Sequence, residues 1–249
     1  MILAHLTWPE IEALDRNIPV LIPTGAIEQH GAHLPLITDT LVVTRVAEAV
    51  EKALPGDVLV TPTIWHGASH HHLPFAGTLS AAMGTYQTTL TDVVEAMVGH
   101  GFHKFLVING HGGNIDPNKV ALRAIKAARP NLFLAHATYI DFWPQALLDE
   151  CLTGRIKGIR HACEAETSLM MHLAPELVRT DKLRDDGLEP DSGFLGAIAN
   201  FDEVTENGSF GEATRGTAAT GQKLFDSAVA GATEWVRQAR AGVSFVSLS

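Results

Sequence analysis

Short runs rich in Val, Ile, Leu and Phe alternate along this chain with longer helical patterns, and that alternation admits few folds. Residues 18–23, 57–61, 104–108 and 132–137 read as buried strands. Residues 39–54 read as an amphipathic helix, with Asp39 at its N-cap and Pro55-Gly56 ending it. Further helical patterns cover residues 86–100, 115–128, 166–173 and 221–241. The expected fold class is α/β: a single domain over residues 1–249, with a mainly parallel central sheet flanked by helices on both faces. Residues 180–220 are rich in Asp, Gly, Ser and Glu and lack periodicity. They read as a long loop excursion with room for a small hairpin, and a loop of that length in a compact domain is usually functional or an assembly contact.

The polar residues are not scattered. Thr24–His33 (TGAIEQHGAH) follows the first strand, Trp65–His72 (WHGASHHH) the second and Asn109–Asn114 (NGHGGN) the third. In an open parallel sheet the carboxyl ends of the strands share one edge, where ligands bind. Three histidine-bearing loops are therefore expected on one rim. The composition agrees, since nine of the 13 histidines lie between His30 and His111.

Glu28 and His30 are two apart, so in an extended segment they point to the same side. Asp39 opens a helix, where a carboxylate can cap the helix or bridge two metal ions. His111 sits in a glycine turn between strand and helix, which lets backbone approach a ligand closely. His161, Glu164 and Glu166 form a fourth cluster at the start of a helix. There His161 reads as a proton shuttle and either acid as a ligand or base, while a first-turn acid is also favoured by the helix dipole alone. For His70–His72 two readings stand, an active-site rim or plain surface. Cys163 reads as a packing residue, because Glu164 and Glu166 would raise its pKa. A ligand set of carboxylates and imidazoles without thiolates suits Zn, Mn or Fe in a catalytic site. Two such ions would make water nucleophilic at neutral pH and polarise a carbonyl.

Other chemistries are disfavoured. With 18 Lys and Arg against 28 Asp and Glu, the net charge is −10, which argues against nucleic-acid and anionic-membrane partners. Cys151 and Cys163 are too few for a disulfide framework or a thiolate zinc cage. No apolar run reaches the ~20 residues of a membrane span, and MILAHLTWPE does not read as a signal peptide, so the expectation is a cytoplasmic protein. There is no Gly-x-Ser-x-Gly elbow for a serine hydrolase. NGHGGN is not a dinucleotide loop, because Ile115 stands where a third glycine is needed.

PTGAIEQHGAHLPLITD (Pro23–Asp39), FAGTLS (Phe75–Ser80), NGHGGN (Asn109–Asn114) and HACEAETSLM (His161–Met170) together resemble the creatininase, or creatinine amidohydrolase, family. The resemblance implies a metal-dependent hydrolase of cyclic amides and formamides, with an α/β fold and commonly a homohexamer. It implies Glu28, His30, Asp39 and His111 as metal ligands, with Asp39 bridging. It places Ser80 and His161 at the substrate, His161 moving the proton. Creatinine-hydrolysing members carry an aromatic residue and then a metal-binding Glu just after the third-motif His, where this chain has Gly112 and Gly113. They also carry Trp-Asp before the substrate His, where this chain has Gly158-Ile159-Arg160. Both departures point away from creatinine itself. A second metal then needs another carboxylate, and Glu164 is the expected one, being nearest His161; Glu166 is second. The reading is a hydrolase of a C–N bond in a small cyclic amide or formamide, with two divalent ions per chain and a small-molecule substrate. The alternatives are a lactone or cyclic-ketone hydrolase at the same site, or a non-catalytic metal-binding subunit of a peptide-modification pathway.

Overall fold

The computed structural model describes residues 1–187 and 198–242. Its strands are β1 (Val20–Thr24), β2 (Leu59–Val60), β3 (Lys104–Asn109) and β4 (Phe133–Thr138). Its α-helices are α1 (Trp8–Glu12), α2 (Thr38–Ala53), α3 (Met83–Gly99), α4 (Ile115–Ala128), α5 (Gln145–Cys151), α6 (Glu164–Leu173) and α7 (Ala218–Ala241). Among the described residues the strands form one parallel sheet in the order β2-β1-β3-β4.

Side chains alternate across a strand, and both faces here are apolar. Leu21, Leu106 and Ile108 pack with Val43 and Val46 of α2, Leu169 of α6 and Ala228 and Val236 of α7. Val20, Ile22, Phe105 and Val107 pack on the other face with Leu90 and Val94 of α3 and Leu122 and Ile125 of α4. The expected parallel sheet with helices on both faces is therefore present, which is why its strands read as continuous apolar runs. No helix among the described residues is long and apolar enough to cross a membrane.

Two helix starts differ from the sequence pattern, and both bear on the site. Helix α2 begins at Thr38 after Ile37, so Asp39 lies inside its first turn and is not the N-cap. Helix α6 begins at Glu164 rather than Glu166. The excursion over residues 180–220 carries 3₁₀ turns at Thr180–Lys182, Phe201–Glu203 and Ala213–Arg215. It also makes antiparallel bridges pairing His161 with Phe210 and Asp186 with Gly211. Its middle, residues 188–197, lies outside the described residues.

Lys104 opens β3 almost fully buried, and its ammonium donates to the carbonyls of Ala239 (2.9 Å) and Arg240 (3.1 Å). A cation there satisfies the orphan carbonyls and the negative end of the α7 dipole. Lys104→Met should lower stability by about 1–2 kcal/mol, read as a drop in the denaturant midpoint at unchanged slope.

Candidate active site

The loops after β1, β2 and β3 converge at the carboxyl edge of the sheet. Thr24 and Asn109 are paired in register, so the loops bearing His30 and His111 leave the sheet level with each other. The first turn of α2 lies between them. A Cβ on Gly110 would stand 2.7 Å from the Asp39 carbonyl oxygen and 2.9 Å from Val43 Cβ. Only glycine lets the end of β3 come this close to α2, and that approach brings His111 beside Asp39.

Asp39 spans two imidazoles. Its Oδ1 accepts from His30 Nε2 at 3.1 Å, and its Oδ2 lies 3.0 Å from His111 Nδ1. Glu28 Oε1 lies 3.3 Å from His111 Nδ1, 3.3 Å from His72 Nε2 and 3.7 Å from His161 Nδ1. Glu166 Oε1 is 3.9 Å from His30 Nε2, and its other oxygen accepts from the Ala162 amide. Glu28, His30, His72, Asp39, His111, His161 and Glu166 are all buried.

Backbone carbonyls orient the rings. His111 Nε2 donates to Ala68 O at 3.1 Å, which leaves Nδ1 to face Glu28 and Asp39. His30 Nδ1 donates to Glu28 O at 3.2 Å, which leaves Nε2 facing Asp39 and Glu166. His161 Nε2 donates to Gln29 O at 2.7 Å, with Nδ1 turned to Glu28. Such outer hydrogen bonds are the usual device for aiming a ligating imidazole. Gln29 Nε2 donates to His72 Nδ1 at 2.8 Å, so His72 presents Nε2–H to Glu28.

Burial and charge act against each other here. Burial disfavours a charge on His30, but Asp39, its hydrogen bond, Glu166 and Glu28 outweigh it and push the imidazole up to about 10. His111 is likewise driven upward, burial being overcome by Glu28 and Asp39. Burial also works against ionised Asp39, yet His30 and His111 hold it far below the usual carboxylate range. Burial raises Glu28, and it raises Glu166 to about 7. His161 falls well below its ordinary value through burial and then through His30 and His72. His71 falls to about 4, through burial and then through His111 and His70. Three buried acids thus lean on protons held by two imidazoles, an arrangement in which a divalent ion can replace the protons.

The donors fit such ions. Glu28 Oε2 and Asp39 Oδ2 are buried without a hydrogen-bond partner among the described residues, which is costly unless something else binds them. Three sets each offer ligand atoms within 4.8 Å of one another: His30, Asp39 and Glu166; Glu28, His71 and His111; Glu28, His30 and His161. A cavity of about 1080 Å³ opens above them. Its walls include Tyr139, Arg160, Asp186 and Phe201.

The structure brings Glu28, His30, Asp39, His111 and His161 together. Glu164 stands apart from them. Its carboxylate accepts from the Thr153 amide (2.7 Å), the Thr153 hydroxyl (2.9 Å) and the Gly154 amide (2.8 Å). Residues two apart on a helix diverge by about 200°, so Glu164 and Glu166 cannot face the same way. Glu166 is the acid that faces His30. Ser80 also sits outside the cavity walls and instead accepts from the Ser69 amide at 2.8 Å. Of the triple histidine, His70 is exposed, His71 lines the cavity and His72 is buried at its floor. Phe201 was not foreseen, and its ring centroid lies 4.0 Å from that of His72 and 4.6 Å from that of His161. Nothing in an aperiodic loop marks such a residue.

An α/β domain with buried carboxylates and imidazoles gathered at its strand ends has the donors of a metal centre. The creatininase family model, creatinine amidohydrolase, matches residues 4–236, and this chain belongs to that family, whose members are hydrolases. A mycofactocin precursor peptide peptidase from Mycobacterium ulcerans (strain Agy99) is 32% identical over 88% of this chain and 81% of its own length. Creatinine amidohydrolase from Pseudomonas putida is 30% identical over 73% of this chain and 75% of its own. Two solved creatininases, a manganese form and a mutant of Zn–Zn type, are each 26% identical. Each covers 95% of this chain and 97% of its own, with a TM-score of 0.81.

The role of Glu164 separates from that of Glu166 by measurement. Glu164→Gln should weaken the anchor of the Thr153–Gly154 loop and lower the thermal midpoint by several degrees. An unchanged midpoint would show that the three hydrogen bonds do not hold that loop.

Proposed function

We propose that this chain is a metal-dependent hydrolase of amide C–N bonds, with two divalent ions held around Asp39. One observation carries the reading: among the described residues Glu28 Oε2 and Asp39 Oδ2 are buried without a hydrogen bond, beside aimed imidazoles at the floor of a large cavity. Glu28, Asp39 and His111 would hold one ion and His30, Asp39 and Glu166 the other, so Glu166 would fill the role expected of Glu164. Zn, Mn and Fe suit these donors, and bound metal supplies Lewis acidity to a water and to the amide carbonyl.

The chain's own groups do the rest. His161 is fixed by its Nε2–H on the Gln29 carbonyl and offers Nδ1 to the cavity beside Glu28. It takes a proton from the attacking water at Nδ1 and gives it to the leaving nitrogen. His72, 3.3 Å from Glu28 Oε1, holds that carboxylate in place. Phe201 lies over His72 and His161 and keeps bulk water from the proton path.

The cavity, at about 1080 Å³, is slightly larger than the 300–1,000 Å³ typical of ligand pockets. Together with the likeness to mycofactocin precursor peptide peptidases, this supports an amide within a short peptide segment as the substrate. A small cyclic amide or formamide is the second reading, supported by the Pseudomonas putida relative. Assembly as a homohexamer is part of the proposal, with Trp65, Leu73, Leu79 and Met83 as exposed apolar side chains available to it.

Protein purified without chelator should carry close to two equivalents of transition metal per chain by elemental analysis, and Glu166→Gln should lower this toward one. Less than about 0.2 equivalents, with no uptake on metal addition, would end the proposal. Hydrolysis screens by mass spectrometry over short peptides, cyclic amides and formamides then choose between the substrates.

His161→Ala should reduce kcat by about 10²–10⁴ at unchanged metal content. Loss of metal would make His161 a ligand, and an unchanged rate would leave it a packing residue.

A further inference from the structure

We propose that His71 is a metal ligand, completing the subsite of Glu28 and His111, and that Gly113 is glycine because the loop carrying His71 occupies its side-chain space. The inference rests on the metal reading above and adds a donor to it.

Position 113 is closed to a side chain. A Cβ there would collide with the Ala68 carbonyl oxygen, and would stand 2.5 Å from His111 Nε2 and 2.9 Å from His71 Cε1. The Ala68 carbonyl also accepts from His111 Nε2, so it cannot move without releasing that ring. The 3₁₀ turn at His70–His72 then sets His71 against the loop. Its ring lies parallel to that of His111, 10° between planes with centroids 5.8 Å apart. The Phe201 ring supports it with a centroid distance of 5.7 Å.

From this position His71 offers a nitrogen within 4.8 Å of ligand atoms of Glu28 and His111. Donors to one ion at 2.0–2.2 Å stand at most about 4.4 Å apart, so sub-ångström adjustment closes the set. Its ring nitrogens have no hydrogen bond among the described residues, unlike those of His30, His72, His111 and His161. A half-buried imidazole on a cavity wall, packed by the rings of His72, His111 and Phe201 and without a hydrogen bond among the described residues, is held in place for a ligand.

The consequence is chemical. With Asp39 shared, the first subsite becomes two nitrogens and two oxygens, and the second one nitrogen and two oxygens. Imidazole favours Zn and Fe, whereas carboxylate sites suit Mn. The first subsite should therefore prefer zinc over manganese more strongly than the second.

The test is metal binding by stripped full-length protein. Co²⁺, Zn²⁺ and Mn²⁺ are titrated into the parent, His71→Ala, His71→Phe and the exposed-neighbour control His70→Ala. His71→Phe keeps the ring packing and removes only the nitrogens. Both His71 variants should bind one of two equivalents at least ten-fold more weakly, with a narrowed preference for zinc over manganese at that equivalent. In the Co²⁺ protein they should lose one hyperfine-shifted imidazole N–H resonance, while His70→Ala matches the parent. If the parent takes up two ions and His71→Phe keeps both affinities and every shifted resonance, His71 is not a ligand and the two-metal reading stands. A parent that binds no metal overturns both.

Discussion

The site depends on Asp39 keeping its charge without water. A buried carboxylate is expensive unless it is paired and hydrogen-bonded. Asp39 takes a hydrogen bond from His30 on one oxygen and sets the other 3.0 Å from the His111 ring, an ion pair that leaves that oxygen open to a further partner. Those residues come from loops after different strands, so one side chain ties β1, β3 and the start of α2 together. Glu28 and Glu166 extend the same logic outward, each placed against an imidazole rather than against solvent. The cluster is thus both the proposed functional centre and a condition on how three loops must fold.

Asparagines hold that geometry from behind. Asn114 Nδ2 donates to the Gly25 carbonyl at 2.9 Å, while its Oδ1 accepts from the Ala68 amide at 2.9 Å. One amide therefore joins the loops after β1, β2 and β3. Asn109 accepts from Thr24 Oγ1 at 3.0 Å and donates to the His111 carbonyl at 2.6 Å. Asn118 completes the layer by donating to Thr24 Oγ1 and accepting from the Tyr86 hydroxyl at 2.7 Å. The two asparagines bracketing NGHGGN fix the histidine between them, and Gly110 and Gly113 make room for neighbouring backbone. Preorganisation of this kind is what a catalytic constellation requires of its supports.

The layering of the fold was legible because burial on both faces leaves uninterrupted apolar strands, and α2 and α7 show a 3.6-residue stripe. The ligand loops were legible because Glu28, His30 and His111 interrupt that pattern just past strand ends. What the sequence hid is angular and long-range. Whether Glu164 or Glu166 faces His30 turns on a helix start two residues earlier than the pattern showed, and each shift of one residue rotates the carboxylate by about 100°. For His70–His72 the rim and surface readings stayed open because a run of three histidines has no periodicity; a 3₁₀ turn buries His72 and leaves His70 outside. Ser80 stands at the motif position expected at substrate, yet its hydroxyl is engaged with the Ser69 amide. Phe201 reaches the site from 87 residues beyond the last of the three loops, through an excursion that no local pattern describes.

Charge balance connects the two glycines of the third motif to the chemistry. With Glu28, Asp39 and Glu166 as the acids, the proposed centre sets three negative charges against two divalent ions, a residual of about one positive charge at neutral imidazoles. A fourth carboxylate at position 113 would cancel it. Filling that volume with the loop of His71 adds a donor without adding negative charge, so the centre keeps its attraction for a developing oxyanion. The low-dielectric floor magnifies that difference relative to water. Gly112, beside Gly113, leaves the space next to His111 open, since a side chain there would meet nothing within 4 Å. An electrophilic centre beneath that open space supports the proposed amide within a longer substrate.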